Sequence, residues 1–209
     1  NGGKLVEPIL IDRIQDSEGN TIFNNDKRKC INCDQISYLT NDYPEIKNNY
    51  TQIFSPETAF QMTSILEGVV QRGTAKKLKD LNLNIAGKTG TTNKNTDTWF
   101  IGFTSNLLVG VYVGSDNPTS LGKYETGSKT ALPIFKSFII DSVNKYEARP
   151  FKAAKGTVMM VVDPLTGQKA KFNSKNTIIE VFKKEKVVDG KVLYTNSDRL
   201  DSNNILKFY

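Results

Sequence analysis

The segment Ser55–Gly73, "SPETAFQMTSILEGVVQRG", carries the signals for both of its own ends, and everything after it has to fold around it. Ser55 can cap the first free amides, Pro56 suits the first helical position and Glu57 complements the helix dipole. Ala59, Met62, Leu66 and Val69 recur on one face with Thr63 and Val70 beside it, and Gly73 closes the helix. Three strand-like runs follow, Leu83 to Lys88, Thr98 to Thr104 and Leu107 to Gly114. The last two are joined by Ser105-Asn106, a hairpin spacing. "TALPIFKSFIIDSV" then reads as an amphipathic helix burying Ile134, Phe135, Phe138 and Ile139. Helix, antiparallel meander and helix predict an α+β fold, an antiparallel sheet with covering helices.

The flanks are less regular. "ILIDRIQDSEGNTIF" alternates apolar and polar residues about Asp16-Ser17-Glu18-Gly19, a hairpin signature. From Asn24 to about residue 54 the chain is polar and rich in Asn and Asp, which predicts a surface excursion. After "KYEARPFKAAKG", a linker, "VMMVVDPLTGQ" and the Asp189-Gly190 turn predict a small β-rich extension. The expected division is therefore 1–145 and 146–209. The chain is long enough for a substantial core, and 38% hydrophobic with 24% charged residues places it among globular proteins. No apolar run is long enough to span a bilayer as a helix. The lysines behind the net charge of +6 are scattered, which disfavours nucleic acid as a partner.

With 0 histidines, the chain holds no Ser-His-Asp triad, no Cys-His pair and no histidine metal site. Acid–base chemistry would fall to lysine, carboxylates or tyrosine. The densest cluster of such groups is "NIAGKTGTTNKNTDTWFIGF", from Asn84 to Phe103. A Walker phosphate loop requires a first glycine five residues before Gly87, where Asn82 stands, and a helix after the lysine, where Gly90 and a polar loop follow. A polar strand end is one alternative. An anion site is the other, in which Lys88 supplies a cation, Thr89 and Thr91 point to one side of an extended segment, and Gly90 admits a ligand close to the backbone.

Four segments appear in order: "SPETAFQMTSILEGVVQRGTA", "NIAGKTGTTNKNTDTWFIGFT", "VGVYVGSDNP" and "GSKTALPIFKSFI". In this order they resemble the closing half of the transpeptidase domain of class A (bifunctional) penicillin-binding proteins, from Asn1 to about Val143. The Pro164-Leu165-Thr166-Gly167 segment is similar to the tail of such proteins. The resemblance implies part of a penicillin-binding, β-lactamase-like transpeptidase fold, and a D,D-transpeptidase that cross-links stem peptides ending in D-alanyl-D-alanine through a serine acyl-enzyme and is acylated by β-lactams. It implies no cofactor, a parent anchored upstream and a place at the periplasmic face of the inner membrane.

By that resemblance Lys88 and Thr89 belong to the catalytic wall, and Gly90, Thr91 and Thr92 to substrate binding, with the Thr91 N–H facing an oxyanion. The family places its Ser-x-x-Lys and Ser-x-Asn elements before Lys-Thr-Gly. Here the matches Ser120–Lys123, Ser142–Lys145 and Ser115–Asn117 all come after it and read as chance. The expectation is that the nucleophile lies in upstream transpeptidase chain and that this piece is inactive alone. A non-catalytic cell-wall binding module, and a D,D-carboxypeptidase or β-lactamase relative, are the competing readings. Cys30-Ile31-Asn32-Cys33 lacks the partners for a zinc site; in the periplasm that the family implies, a local disulfide between Cys30 and Cys33 is expected.

Overall fold

The computed structural model describes the chain except residues 32, 34–44, 48–49, 118, 144 and 194–209, and it divides into two compact units, Asn1–Ser55 and Pro56–Tyr209.

In the first unit, β1 (Arg13–Gln15) and β2 (Thr21–Asn24) form the expected hairpin. Its turn is held by the Asp16 carboxylate, which accepts the N–H groups of Glu18 and Asn20 at 2.9 and 2.8 Å, and Gly19 takes a φ of 88°. The excursion after Asn24 is not wholly irregular. β3 (Lys29–Ile31) pairs antiparallel with β4 (Glu45–Lys47), with Cys30 opposite Ile46. Most of the connection between these strands lies outside the described residues. Of the described residues in this unit only Gly3 is buried, so its two-stranded ladders hold no core of their own.

The second unit contains the core. α1 (Pro56–Gln71) ends two residues before Gly73, whose N–H still bonds to the Val69 carbonyl at 3.1 Å. A 3-10 turn, Lys76–Leu81, leads into a three-stranded antiparallel sheet in the order β5 (Ala86–Thr91), β6 (Thr98–Phe103), β7 (Leu108–Val113). α2 (Ala131–Ser142) follows. The α+β arrangement, an antiparallel sheet covered by helices, is as the sequence predicts. Both helices cover one face of the sheet. Phe100 and Phe135 meet edge-on at 4.7 Å inside a cluster that includes Val70, Leu78, Ile85, Leu132 and Ile139. Burying a ring of this size contributes about 1.5–3 kcal/mol. On the opposite face Trp99, Ile101, Tyr112 and Leu108 are each more than 40% exposed.

Three details differ from the sequence reading. The first strand is displaced from Leu83–Lys88 to Ala86–Thr91, so Lys88 lies inside the strand instead of ending it. Leu83 and Ile85 are apolar because they pack into the core before the strand begins, while the polar Lys-Thr-Gly-Thr run is extended because it pairs with β6. On α1 the buried positions are Phe60, Gly68 and Val70, and Met62 is 54% exposed. Gly68 is covered by the Arg72 guanidinium, which crosses it to pair with Glu180, an arrangement that counting apolar residues does not register. On α2, Ala131 and Leu132 join Phe135 and Ile139 in the core, leaving Ile134 and Phe138 about half exposed at 52% and 47%. The helix enters the core at its first turn, which rotates the buried stripe away from those two residues.

The C-terminal strands belong to this unit. β8 (Thr157–Val162) pairs with β9 (Ile178–Lys183), and β10 (Val187–Val188) with β11 (Lys191–Val192) across Asp189-Gly190. That turn has φ of 49° and 71°, the pair of left-handed residues that a two-residue hairpin requires. β9 packs on α1, where Gln61 donates to the Val181 carbonyl at 3.0 Å. The linker contributes Phe151, which packs on Phe103.

Burial raises the Glu67 carboxyl on α1 above its ordinary range. A carboxyl raised in the folded state binds its proton more tightly there than in the unfolded chain, so its contribution to stability is present below pH 4.5 and is lost as pH rises through the folded value. Glu67→Gln is expected to raise the thermal midpoint at pH 7 and leave it unchanged at pH 4. Equal shifts at both pH values would count against burial as the cause.

Candidate functional site

β5 forms one edge of the sheet, and its side chains alternate. Lys88 and Gly90 share the open face with their cross-strand partners Ile101 and Trp99. Thr89 and Thr91 lie on the helix-covered face with Phe100 and Thr98. Lys88 is exposed, and its Nζ turns back to the Thr89 carbonyl oxygen at 3.0 Å, so the ammonium stays at the strand. Gly90 lies under Trp99, since a Cβ there would stand 3.2 Å from the Trp99 Cβ.

Each threonine hydroxyl has a partner from another element. Thr89 Oγ1 is 2.9 Å from Thr74 Oγ1, in the turn after α1. Thr91 Oγ1 accepts the Gly127 N–H at 3.1 Å, from the loop before α2. Because Thr91 accepts that bond, its own O–H remains available to an anion. Gly127 is a glycine for reasons of space. A Cβ there would stand 2.4 Å from the Trp99 carbonyl oxygen and 2.7 Å from that of Gly90. The same loop is tied down by a 2.6 Å contact between the hydroxyls of Thr130 and buried Thr98.

Thr92 stands apart from the other predicted site residues. Its hydroxyl oxygen accepts the N–H groups of Thr96 and Asp97, both at 3.0 Å, and so is committed to the β5–β6 turn. Tyr112 reaches that turn from β7, donating its hydroxyl to Asp97 Oδ1 at 2.8 Å. This bond holds the Tyr112 phenol protonated to higher pH than usual. The Tyr112 ring lies 4.8 Å from that of Trp99. Gly90, Trp99, Tyr112 and Asp97 thus form a continuous set that fixes the end of β5.

The structure rules out a phosphate loop. Lys88 and Thr89 lie inside a strand that turns into another strand, with no helix N-terminus at the lysine. Asn82 adopts a left-handed conformation with φ of 52°, as the C-cap of the 3-10 turn. Ser120 lies in an exposed loop and accepts the Gly122 N–H, Ser142 ends α2, and Ser115 follows β7. Cys30 and Cys33 are paired as a disulfide with their Cα atoms 5.8 Å apart. Among the described residues no three Asp, Glu or Cys side chains gather as a metal site.

The family described as the penicillin binding protein transpeptidase domain matches residues 1–139. The chain belongs to this transpeptidase family. Similar relatives named Penicillin-binding protein 1A include that of Rickettsia conorii, 39% identical over 98% of this chain, and that of Pseudomonas aeruginosa, 30% identical over 88%. The chain spans 25% and 26% of those relatives, about a quarter of their length. The crystal structure of Penicillin-Binding Protein 1A from Haemophilus influenzae is similar over 93% of this chain and 31% of that one, with a TM-score of 0.69 and 28% identity. The part of the transpeptidase fold read from the sequence is therefore present. Thr74 and Gly127 went unrecognised in the sequence as partners of the site, although both fall in segments that carry the resemblance, "QRGTA" and "GSKTALP".

Among the described residues of this transpeptidase-family chain, no helix is long and apolar enough to cross a membrane.

Proposed function

We propose that the chain forms the carboxylate-binding wall of a peptidoglycan D,D-transpeptidase. The observation that carries this reading is the edge strand β5, on which Thr89 and Thr91 sit on one face, each hydroxyl held by a separate element, beside Lys88 and Gly90. Two hydroxyls on one face of an edge strand, with the Lys88 ammonium turned to the strand backbone at Thr89 from the other face, suit the terminal carboxylate of a D-alanyl-D-alanine stem, or the carboxylate of a β-lactam that mimics it, approaching at that edge. Lys88 stabilises that carboxylate region and biases proton transfer through a serine of the second motif. Gly90 leaves the strand backbone open to the substrate, and the Thr91 N–H stabilises the oxyanion as the acyl-enzyme forms. Thr92 acts through the turn that holds Thr91.

In this reading the serine nucleophile and its lysine belong to transpeptidase chain outside these residues. Two observations support it: every Ser-x-x-Lys or Ser-x-Asn match in the sequence follows Lys-Thr-Gly, and the relatives are about four times longer. The exposed apolar face of the sheet, with Trp99, Ile101 and Leu108, suits further chain packed against it. The site operates at the periplasmic face of a membrane to which the whole protein is anchored, a compartment in which the Cys30–Cys33 disulfide persists.

A fluorescent penicillin tests this directly. The chain alone is expected to remain unlabelled, and labelling is expected to return when it is mixed with the rest of the transpeptidase domain. Stoichiometric labelling of the chain alone, lost in Ser120→Ala or Ser142→Ala, would overturn the placement of the nucleophile. Association without labelling would favour a binding module over an enzyme.

A further inference from the structure

The hydroxyl of Thr74 has no evident structural duty. Thr74 is exposed, so its Oγ1 is not a buried polar group in need of a partner, yet it lies 2.9 Å from Thr89 Oγ1. Its position is tightly determined. On one side Gly73 approaches so closely that a Cβ would stand 2.8 Å from the Val69 Cα. On the other, Ala75 is fully buried, its N–H bonds to the Val69 carbonyl at 3.1 Å, and its own carbonyl accepts from the N–H of fully buried Leu78 at 2.9 Å. The end of α1 and the core therefore present a single hydroxyl to β5 from a rigid turn.

A hydroxyl has one hydrogen to donate. When Thr74 donates to Thr89, the Thr89 hydrogen is released toward a ligand, the same condition that the Gly127 N–H creates at Thr91. The two free hydrogens then stand on one face of β5, one strand repeat apart, about 6.7 Å along the chain. Gly127 packs against this face between the two threonines, its Cβ position 3.3 Å from the Thr89 Cβ, so an anion meets the two donors from the free edge of β5, with little reorganisation, the arrangement in which electrostatic recognition is strongest.

We propose that Thr74 is a positioning residue of the transpeptidase, orienting the Thr89 hydroxyl toward the substrate or β-lactam carboxylate. This rests on the reading that Thr89 and Thr91 bind that carboxylate. Its test uses the whole transpeptidase, comparing acylation by a penicillin with acylation by the methyl ester of the same penicillin. Thr74→Ala and Thr74→Val are expected to slow acylation by the free acid about three- to tenfold, the range of one oriented hydrogen bond. Thr74→Ser should restore the rate to within about twofold, and the ester should barely distinguish the variants. In a Thr89→Ala background, Thr74→Ala should add almost nothing, because the two residues act as one unit.

Thr74→Ala at the wild-type rate, while Thr89→Ala is slow, would overturn the role of Thr74 and leave the site standing. So would equal losses on acid and ester, or a serine variant as slow as the alanine one, since each marks a general packing effect. Wild-type rates in both Thr89→Ala and Thr91→Ala would remove the carboxylate site itself, and the role of Thr74 with it.

Discussion

Replacing Lys88 or Thr91 by alanine in the whole transpeptidase is expected to slow acylation by a fluorescent penicillin by about one to three orders of magnitude, as loss of an electrostatic or oxyanion-region contact does. Lys88 suits such a test because it is exposed and its bond goes only to the strand's own backbone at Thr89. Its removal leaves the core intact, so a slower rate reports on the site and not on folding. Thr91→Ala keeps the backbone N–H and deletes the hydroxyl that accepts from Gly127. Its effect should be largely recovered by Thr91→Ser, which restores the same acceptor and the same free hydrogen. Unchanged acylation rates in both alanine variants would sink the assignment of β5 as the carboxylate wall.

Gly127→Ala is expected to reduce both stability and acylation. A methyl group at Gly127 meets the carbonyl oxygens of Trp99 and Gly90 at 2.4 and 2.7 Å, and those are backbone atoms of two paired strands that cannot move aside independently. The loop must retreat instead. That breaks the Gly127 N–H bond to Thr91, and it strains the bond by which the Gly127 carbonyl accepts the Leu132 N–H at the start of α2, 2.8 Å in length. Overpacking of this kind costs about 1–3 kcal/mol. The expected result is a lower thermal midpoint together with an acylation rate reduced by at least about tenfold, beyond what partial unfolding accounts for. A Gly127→Ala protein with a wild-type midpoint and rate would show that the loop can shift without cost, and that it does not hold Thr91.

How legible these features were in the sequence depended on how local their causes are. α1 is read from its ends and periodicity because caps and apolar spacing act within a few residues. The β1–β2 turn and the Asp189-Gly190 turn are read for the same reason: their backbone conformations are demanded by the residues in the turn itself. β5 lies three residues later at each end than its apolar pattern predicts, because its strand character comes only in part from its own side chains. Gly87, Lys88 and Gly90 have weak strand preference, Thr89 and Thr91 offset it only in part, and the extended conformation is completed by six paired positions along β6. The buried stripes of α1 and α2 were rotated because periodicity names an apolar face without knowing which neighbours will cover it. Gly68 and Ala131 are buried with hardly any side chain to signal it.

The candidate site divides along the same line. Lys88, Thr89, Gly90 and Thr91 are contiguous, so their chemistry and their alternation follow from the sequence and the period of an extended chain. The absence of histidine likewise excludes whole classes of mechanism before any coordinate is known. Thr74 and Gly127, 15 and 36 residues from the threonines they hold, are decided only by the tertiary structure. Thr92 is contiguous with the site and yet belongs to the turn, because Thr96 and Asp97 reach its hydroxyl oxygen first. The sequence by itself determined which groups are contiguous, Lys88 to Thr91, and what donors and charge they carry. Packing of the α1 turn and the α2 loop against β5 decided which partners the Thr89 and Thr91 hydroxyls meet, because a hydroxyl's direction is set by its partner and not by its own residue.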